Sequence, residues 1–541
     1  CSKPALAQFF DACAKLSCQC LVKGTQLERS WMVEAFELLL EGLTSMVSDC
    51  REQMLITIAE SAYGGSAENI NASKKKLTTF QNIANAIGRY TAPIFRTFVL
   101  SHFQVSAKTC QLDDDPFEDP DILNEQMTSI GFLGRSQINN ASLLIVQELS
   151  KRVKLFKSIC QNVSSNSSNQ QNASPNWFQL QDELYWLIMV ATHLLTDQCA
   201  SEDSQIPIEV EQSVAASQEN NNPVLQLIDI LLNMISLFNT FHATRQQQVN
   251  TNISSLVQFT LLEFAERFIR SYVCRTPPKS KHPTGFVVFS KRLLSLFSNS
   301  QGQSHLVTQM VNHIGLVLSH HTDPGVIQQS IRVFDALVTT RQLVVTLLKV
   351  GPFQTLVQWV LAYAKHHSAP STHTRAFTNI PSKAKIDLIK CIMQLADKAH
   401  GLPNARPLST KLLNQVIRPF AIALRDILSP PNNNAKHLSS VRVRDRVIDL
   451  MECFRAVSLA TNATTAKYVC SITTNLFQVL HHAMQCYCAV ASSNPAARLA
   501  INQILKVTHD ICYSQLDFIK DSAQWKAYSG FVVGIIKVYA S

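Results

Sequence analysis

Apolar residues recur every three or four positions along most of the chain. In the segment 30–49, one such stripe consists of Trp31, Phe36, Leu39, Leu40, Leu43, Met46 and Val47. This spacing places apolar side chains on one face of an α-helix, which buries them against neighbouring elements. Similar stripes run through residues 77–100, 143–156, 180–195 and 224–238. The alternation of period two that marks a half-buried strand has no convincing example, so the pattern predicts an all-α fold.

The boundaries between these stripes carry helix-start signals. Asn222-Pro223 and Asp323-Pro324 each place a capping side chain directly before a proline. Proline suits the first helical position, since the N–H group that it lacks would have had no partner within the helix. Each dipeptide therefore predicts the first turn of a new helix. Gly351-Pro352 combines a helix-ending residue with a helix-starting one and predicts a sharp reversal there.

The rhythm of the helices predicts how they assemble. A helix starts roughly every 15 to 35 residues, with short connections, over much of the chain. A single core stops growing at about 250 to 300 residues, whereas stacked antiparallel helix pairs bury their stripes without that limit. The pitch of the pairs, roughly 40 to 60 residues, overlaps the HEAT and armadillo range. The sequence therefore predicts an α–α superhelix, a HEAT/armadillo-like solenoid.

One polar stretch divides this solenoid. Residues 161–176 are rich in Asn, Ser and Gln and read as a low-complexity loop. We therefore expect HEAT-like repeats over residues 1–160, the polar loop over 161–176, and further repeats of the same solenoid over 177–541. The chain begins at Cys1 and stops inside an apolar pattern, which we interpret as a fragment of a longer protein.

Composition narrows the class of protein. Apolar residues make up 46% of the chain, which is too many for a disordered protein, and the 15 glycines among 541 residues are few for a sheet-rich fold. Fifteen scattered cysteines fit reduced thiols in a cytosolic or nuclear protein better than a disulfide framework. The sequence contains no stretch of about 18 consecutive apolar residues, so it predicts no membrane-spanning helix.

Motifs for catalysis or cofactor binding are missing from the sequence. It contains no dinucleotide-binding G-x-G-x-x-G, no P-loop and no G-x-S-x-G elbow. His482 and Cys486 are four residues apart on one helix face, but a zinc site needs four convergent ligands. We interpret them as a partly solvated histidine and a buried thiol. The sequence therefore predicts neither an enzyme nor a cofactor or metal site.

Positive charge is concentrated in one part of the chain. Residues 365–446 hold 14 Lys and Arg residues against 4 Asp and Glu, a net of +10, which matches the +9 of the whole chain. Such a stretch can bind nucleic acid through phosphate charge, dock an acidic protein, or simply form a solvated face. Its few aromatic residues, among them Phe377 and Phe420, give base stacking little support. Nucleic-acid binding is the least favoured of the three.

Two acidic features are candidate binding sites. Residues 113–121 form an acidic, proline-interrupted loop that is either solvated or a partner contact, with carboxylates at Asp113, Asp114, Asp115, Glu118 and Asp119. Elsewhere, Asp182 and Glu183 precede the apolar run that begins at Trp186, and Asp197 follows it. These three carboxylates could hold a cationic side chain by charge-assisted hydrogen bonds. The alternative for Asp182 and Glu183 is that they only interact favourably with the dipole at the start of a helix.

Several collinear segments resemble the exportin-4 branch of the importin-β-like nuclear transport receptors. The clearest is residues 186–210, WLIMVATHLLTDQCASEDSQIPIEV, preceded by an acidic pair. Residues 130–153, IGFLGRSQINNASLLIVQELSKRV, are similar to a helix of that family with a G-x-L-G-R motif. Residues 264–273, 337–362 and 507–541 match further helices in the same order.

This resemblance implies a HEAT-repeat receptor that shuttles between nucleus and cytoplasm. Such a receptor binds cargo together with Ran-GTP and contacts nucleoporins; the cargo it implies is a hypusine-bearing translation factor, with Smad-type factors as well. It also implies that Asp182, Glu183 and Asp197 hold the cationic hypusine, and it makes the acidic loop 113–121 a candidate Ran or partner contact. The chain would be the middle part of the receptor. A cytosolic HEAT-repeat scaffold without GTPase coupling remains the alternative.

Overall fold

The predicted helical stripes at 30–49, 143–156, 180–195 and 224–238 lie in helices of a computed structural model of the chain. It describes residues 3–27, 30–63, 86–103, 120–165, 175–197, 205–217, 221–244, 253–273, 300–365, 380–428, 440–459, 480–489, 491, 497–515 and 522–540. Within these ranges the secondary structure is helical, apart from a β-bridge between Asp197 and Gln205. The chain divides into two units, Cys1–Gly302 and Gln303–Ser541.

The first unit is built from nine described helices. They are α1 Lys3–Leu27, α2 Ser30–Tyr63, α3 over residues 86–103, α4 Pro120–Arg135, α5 Ile138–Ser165, α6 Pro175–Leu195, α7 Ile208–Ala216, α8 Pro223–Thr244 and α9 Ser255–Phe268, which continues as a π-helical turn over Ile269–Val273.

Helices of the first unit pack in chain order. α1 packs on α2, α2 on α4, α4 and α5 on α6, α5 on α8, and α6 on α9. Aromatic rings connect successive layers: Phe36 of α2 stacks on Phe98 of α3, and His102 of α3 lies 4.1 Å from Trp186 of α6, ring centre to ring centre. Each helix thus buries its apolar face against near neighbours, as in a repeat protein.

The second unit holds the helices from α10 onward. They are α10 Ser300–His320, which begins at the unit boundary, α11 Pro324–Thr339, α12 Val344–Lys349, α13 Gly351–Lys365, α14 Ser382–His400, α15 Arg406–Leu428, α16 Val441–Leu459, α17 over residues 480–489, α18 Ala497–Gln515 and α19 Ser522–Ala540. α14 packs on α11, α15 and α16, α13 packs on α15, and α16 packs on α18.

The predicted helix starts agree with the cap geometry. Asn222 accepts a hydrogen bond from the Val224 N–H at 2.8 Å, and Asp323 accepts one from the Gly325 N–H at 2.8 Å. Both satisfy donors that a helix leaves unpaired at its first turn. The reversal expected near residue 351 is smaller than predicted, since the segments before and after it are bent by 74°.

The fold class is confirmed as all-α with stacked helix pairs, and one detail differs. Trp31 is 56% exposed, although the spacing placed it on the buried stripe of α2. The buried face of α2 is defined by Phe36, Leu40 and Leu43, and Trp31 lies about 140° around the helix from Phe36. Apolar spacing alone assigned one residue too many to this face.

One helix of the first unit resembles a membrane span by composition. The window Pro223–His242 in α8 is long and apolar enough to cross a membrane by composition, but 56% of it is buried inside the structure, as in a core helix.

The helices on either side of the predicted polar loop extend into it: α5 extends to Ser165 and α6 begins at Pro175. Residues 166–174 of the predicted polar loop lie outside the described residues, so the predicted domain limits stay predictions.

Candidate functional site

The helix α6 carries two of the predicted site residues, and its second half is enclosed by other helices. Each residue from Trp186 to Leu195 is buried. A helix that is apolar all round needs neighbours on every side, and α4, α5 and α9 supply them. Asp182 and Glu183 are partly exposed and lie in the middle of α6, which begins at Pro175. The helix-end explanation for this acidic pair is therefore wrong, because the dipole acts within the first turn.

Two glycines of the G-x-L-G-R motif allow α4 to approach its neighbours, Gly131 against α6 and Gly134 against α3. A Cβ atom on Gly131 would lie 2.5 Å from the carbonyl oxygen of His193, and one on Gly134 would lie 2.6 Å from the ring of Phe95. Real Cβ contacts are not that short, and at Gly131 the neighbouring atoms belong to the backbone of α6, so a larger residue there would push the two helices apart. The close approach brings the last residue of the motif, Arg135, to the C-terminal end of α6.

Arg135 closes that end of α6. Its side chain is 2% exposed, donates to the carbonyl oxygens of Leu194 at 3.3 Å and Thr196 at 2.7 Å, and also donates to the carbonyl oxygen of His193. A helix leaves its last four carbonyl groups without internal partners, and burial makes such groups costly. One guanidinium therefore satisfies a set of carbonyls that water cannot reach.

Asp197 completes this arrangement. Its carboxylate lies 3.2 Å from Nη1 of Arg135, and its side chain is 26% exposed. Its backbone pairs with Gln205 through hydrogen bonds of 2.8 and 2.7 Å, which fix the chain just after α6. From α9, the Tyr272 hydroxyl donates to the carbonyl oxygen of Leu195 at 2.7 Å. Asp197 thus balances a buried charge and remains partly open to solvent.

The histidine at this end of α6 is uncharged. Burial is the main reason why the pKa of His193 lies well below its ordinary value, and the charges of Arg267 and Arg135 lower it further. His193 is therefore neutral at pH 7, and Thr128 of α4 lies 3.3 Å from its Nδ1. The neutral imidazole adds no charge to the pair formed by Arg135 and Asp197.

Glu183 of the acidic pair belongs to a second cluster, away from the C-terminal end of α6. Arg152 of α5 donates from Nε to Glu183 at 2.8 Å and also bonds Glu148. Its guanidinium lies 3.9 Å from the centre of the Phe103 ring, within the range of a cation–π contact. Burial raises the pKa of Glu148, but hydrogen bonds from Lys151 and Arg152 outweigh it, so the pKa lies below its ordinary value.

The structure does not bring the three predicted carboxylates to one point. Asp182 and Glu183 are neighbours on α6, whereas Asp197 lies about 20 Å away along the helix axis, at about 1.5 Å per residue. No single cationic side chain can touch both places. The five carboxylates of the acidic loop, Asp113, Asp114, Asp115, Glu118 and Asp119, lie outside the described residues.

Sequence reasoning missed the two arginines that pair with the predicted acids. Arg135 and Arg152 both stand in the segment 130–153, where they read only as parts of a motif. The sequence does contain one signal for them. An arginine inside an apolar helical pattern is expected to be buried, and a buried arginine needs a partner in the fold. The partners come from another helix, so spacing within one helix could not identify them.

The basic stretch of the second unit is partly paired internally. Lys385 is buried and lies 3.8 Å from the Asp449 carboxylate, and its Nζ lies 4.8 Å from the centre of the Tyr363 ring. Arg446 stacks on the same ring at 4.3 Å and lies 3.4 Å from Asp449. Burial lowers the pKa of Lys385. These cations join helices α13, α14 and α16, so they stabilise the unit.

Metal binding has no candidate cluster within the described residues. His482 and Cys486 are near each other, with 3.6 Å between Nε2 and Sγ, as expected for positions four apart on a helix.

Comparison with known proteins gives the family. The Exportin-4 family profile matches residues 5–398. No curated protein matches the sequence. One similar solved structure is a circular tandem repeat protein with novel repeat topology and enhanced subunit contact surfaces; it has 11% identity and a TM-score of 0.38, over 93% of this chain and 97% of that one. Nothing about function rests on that likeness. Because the family match covers most of its length, the chain belongs to the exportin-4 family, a family of karyopherin-type transport receptors rather than enzymes.

Proposed function

We propose that the protein is a nuclear export receptor that binds cargo cooperatively with Ran-GTP and carries it through the nuclear pore. The observation that carries this proposal is the exportin-4 family match over residues 5–398. The expected cargo is a hypusine-bearing translation factor, with Smad-type factors as further cargo. Passage requires contact with nucleoporins, and the protein then shuttles between nucleus and cytoplasm.

We place cargo binding at the carboxylates of α6. Asp182 and Glu183 are partly exposed, and Glu183 already binds a guanidinium, which supports its ability to hold an organic cation. A cargo cation that reaches Glu183 must share it with Arg152 or displace it. Asp197 is a second, separate contact, about 20 Å away.

The acidic loop is the proposed contact for Ran or another protein. Its support is its charge: residues 113–121 contain six carboxylates and no lysine or arginine. The proposed contact residues are Asp113, Asp114, Asp115, Glu118 and Asp119. An acidic segment of this kind steers a basic partner surface during encounter.

The test is a pull-down with immobilised full-length protein. We expect the hypusinated translation factor to bind in the presence of Ran-GTP and to be lost with Ran-GDP or with the unmodified factor. Binding that is indifferent to the nucleotide would contradict export coupling and would favour a scaffold role.

The site is tested by neutral substitutions, because charge reversal at Glu183 would also break its contact with Arg152. Asp182→Asn and Glu183→Gln should weaken cargo binding together, and Asp197→Asn should weaken it separately. Two exposed acids of α2 provide a variant with the same change in charge as the double variant, namely Glu41→Gln with Asp49→Asn. If this control loses cargo as strongly as the α6 variants, the loss comes from the change in overall charge, and the site assignment is wrong.

A further inference from the structure

The helix α15 has an exposed basic face with an unusual regularity. Lys411, Arg418 and Arg425 are exposed and stand seven residues apart, so they lie along one face of α15 with steps of about 10 Å, and Pro419 lies inside the helix next to Arg418. The buried side chains of α15, such as Val416 and Phe420, face α13, α14 and α16. At about 100° per residue, the basic row lies roughly opposite this buried face.

This row lacks the local acids that balance cations elsewhere in the chain. On α9, Arg267 and Arg270 each pair with a glutamate four residues earlier, at 2.5 and 3.0 Å. On α15, the positions three and four residues from each cation of the row hold no Asp or Glu. Among the described residues, Lys411 and Arg418 have no ion-pair partner, and Arg425 contacts only its neighbour Asp426, at 3.7 Å.

The row also contains an apolar residue. Ile422 is 45% exposed and lies between Arg418 and Arg425 on the same face. Ile422 is four residues after Arg418 and three before Arg425, so a partner that pairs with both cations also meets this apolar side chain.

We propose that this face of α15 binds an acidic amphipathic helix of a partner protein. A helix packed alongside at about 8 to 10 Å, with a carboxylate at every seventh position, presents one acid to each cation of the row. An apolar residue between two of those acids covers Ile422. The inference does not depend on Ran coupling or on the carboxylates of α6.

The same observations disfavour nucleic acid as the partner. Binding to single strands uses exposed aromatic side chains for base stacking, but the aromatic residue of α15, Phe420, is fully buried. Phosphates along one strand are spaced far more closely than the cations of the row, at about 3.4 Å of axis per phosphate in a duplex. The step of about 10 Å instead fits acids placed seven residues apart on a second helix that packs alongside.

The experiment measures fluorescence anisotropy of labelled probes with the whole chain at low salt. The first probe is a synthetic helical peptide with Glu at every seventh position and Leu on the same face. The second has the same composition with Glu at every fifth position, which spreads the acids around the helix. The third is a single-stranded RNA oligonucleotide. We expect the first peptide to bind most tightly, and equal binding of both peptides would overturn the proposal.

Substitutions then locate the site. We expect about tenfold weaker binding of the first peptide when three exposed charge pairs are lost, in the variant Lys411→Gln, Arg418→Gln and Arg425→Gln. A control removes the same charge from exposed lysines elsewhere, through Lys154→Gln, Lys157→Gln and Lys526→Gln. An equal loss in the control, or tighter binding of RNA than of the first peptide, would refute a helix-specific site. Circular dichroism confirms that both variants are folded, and the two-peptide comparison needs no variant at all.

Discussion

The contact between α4 and α6 yields a sharp prediction, because the two helices touch at a glycine. Gly131→Ala would place a methyl group 2.5 Å from the His193 carbonyl oxygen and 2.7 Å from its carbonyl carbon. Both atoms belong to the backbone of α6, so no side-chain rotation can relieve the clash. The helices must separate, and the hydrogen bonds from Arg135 to the end of α6 lengthen with them.

The magnitude follows from two opposing contributions. Overpacking a close contact costs about 1–3 kcal/mol, and a clash with backbone belongs at the upper end. Alanine is better than glycine in a helix interior by about 1 kcal/mol. We therefore expect Gly131→Ala to lower the stability of the first unit by about 2 kcal/mol.

The chain contains a matched control for this substitution. Gly42 lies in α2, and a Cβ atom there would meet nothing within 4 Å. Gly42→Ala should therefore stabilise its helix by up to about 1 kcal/mol, so the same chemical change has opposite signs at the two sites.

Hydrogen exchange of the α6 amides provides the assay. A loss of about 2 kcal/mol corresponds to roughly thirtyfold faster exchange through local opening. We expect this acceleration in Gly131→Ala and none in Gly42→Ala. Protection of α6 that is unchanged or increased in Gly131→Ala would refute the close approach of α4 and α6.

Three further predictions concern the same unit. Arg135→Met leaves buried carbonyls and a carboxylate without their donor, so thermal denaturation should show a loss of about 3 kcal/mol or more; a loss below about 1 kcal/mol would contradict the capping role. Tyr272→Phe removes one hydrogen bond to Leu195 and should cost about 1 kcal/mol in urea unfolding, and no change would mean that water replaces it. Burial lowers the pKa of His102 from 6.5 to about 4, more than its bond to a backbone carbonyl raises it. Between pH 6.5 and 4 the unfolded chain therefore binds a proton at His102 that the folded chain does not bind. The free energy of unfolding should fall by about 3 kcal/mol as the pH drops through this window. His102→Phe should remove this part of the pH dependence of stability.

The fold could be predicted from the sequence because its signals are local. Asn222 and Asp323 each cap a helix that begins at the following proline, as their dipeptides predicted. A cap bonds backbone groups two or three residues away, and an apolar stripe repeats within a few turns. Both can be seen without knowledge of any other helix.

The candidate site could be predicted only in part. Sequence identified Asp182, Glu183 and Asp197 as notable carboxylates, but their partners Arg152 and Arg135 lie on α5 and α4. The distance between the acidic pair and Asp197 also depended on where α6 ends. Trp31 shows the same limit in the apolar pattern, since its exposure depends on which face of α2 meets a neighbour.

By itself, the sequence determined that the chain forms amphipathic helices, where most of them begin, and which family motifs they carry. The tertiary structure decided which charges are neutralised between helices and which stay open: Glu183 pairs with Arg152, whereas the basic row of α15 faces away from the helices that cover its apolar side. Helix formation is governed by hydrogen bonds and side-chain spacing within a few residues. Charge pairing between helices depends on distances that exist only after the helices have packed.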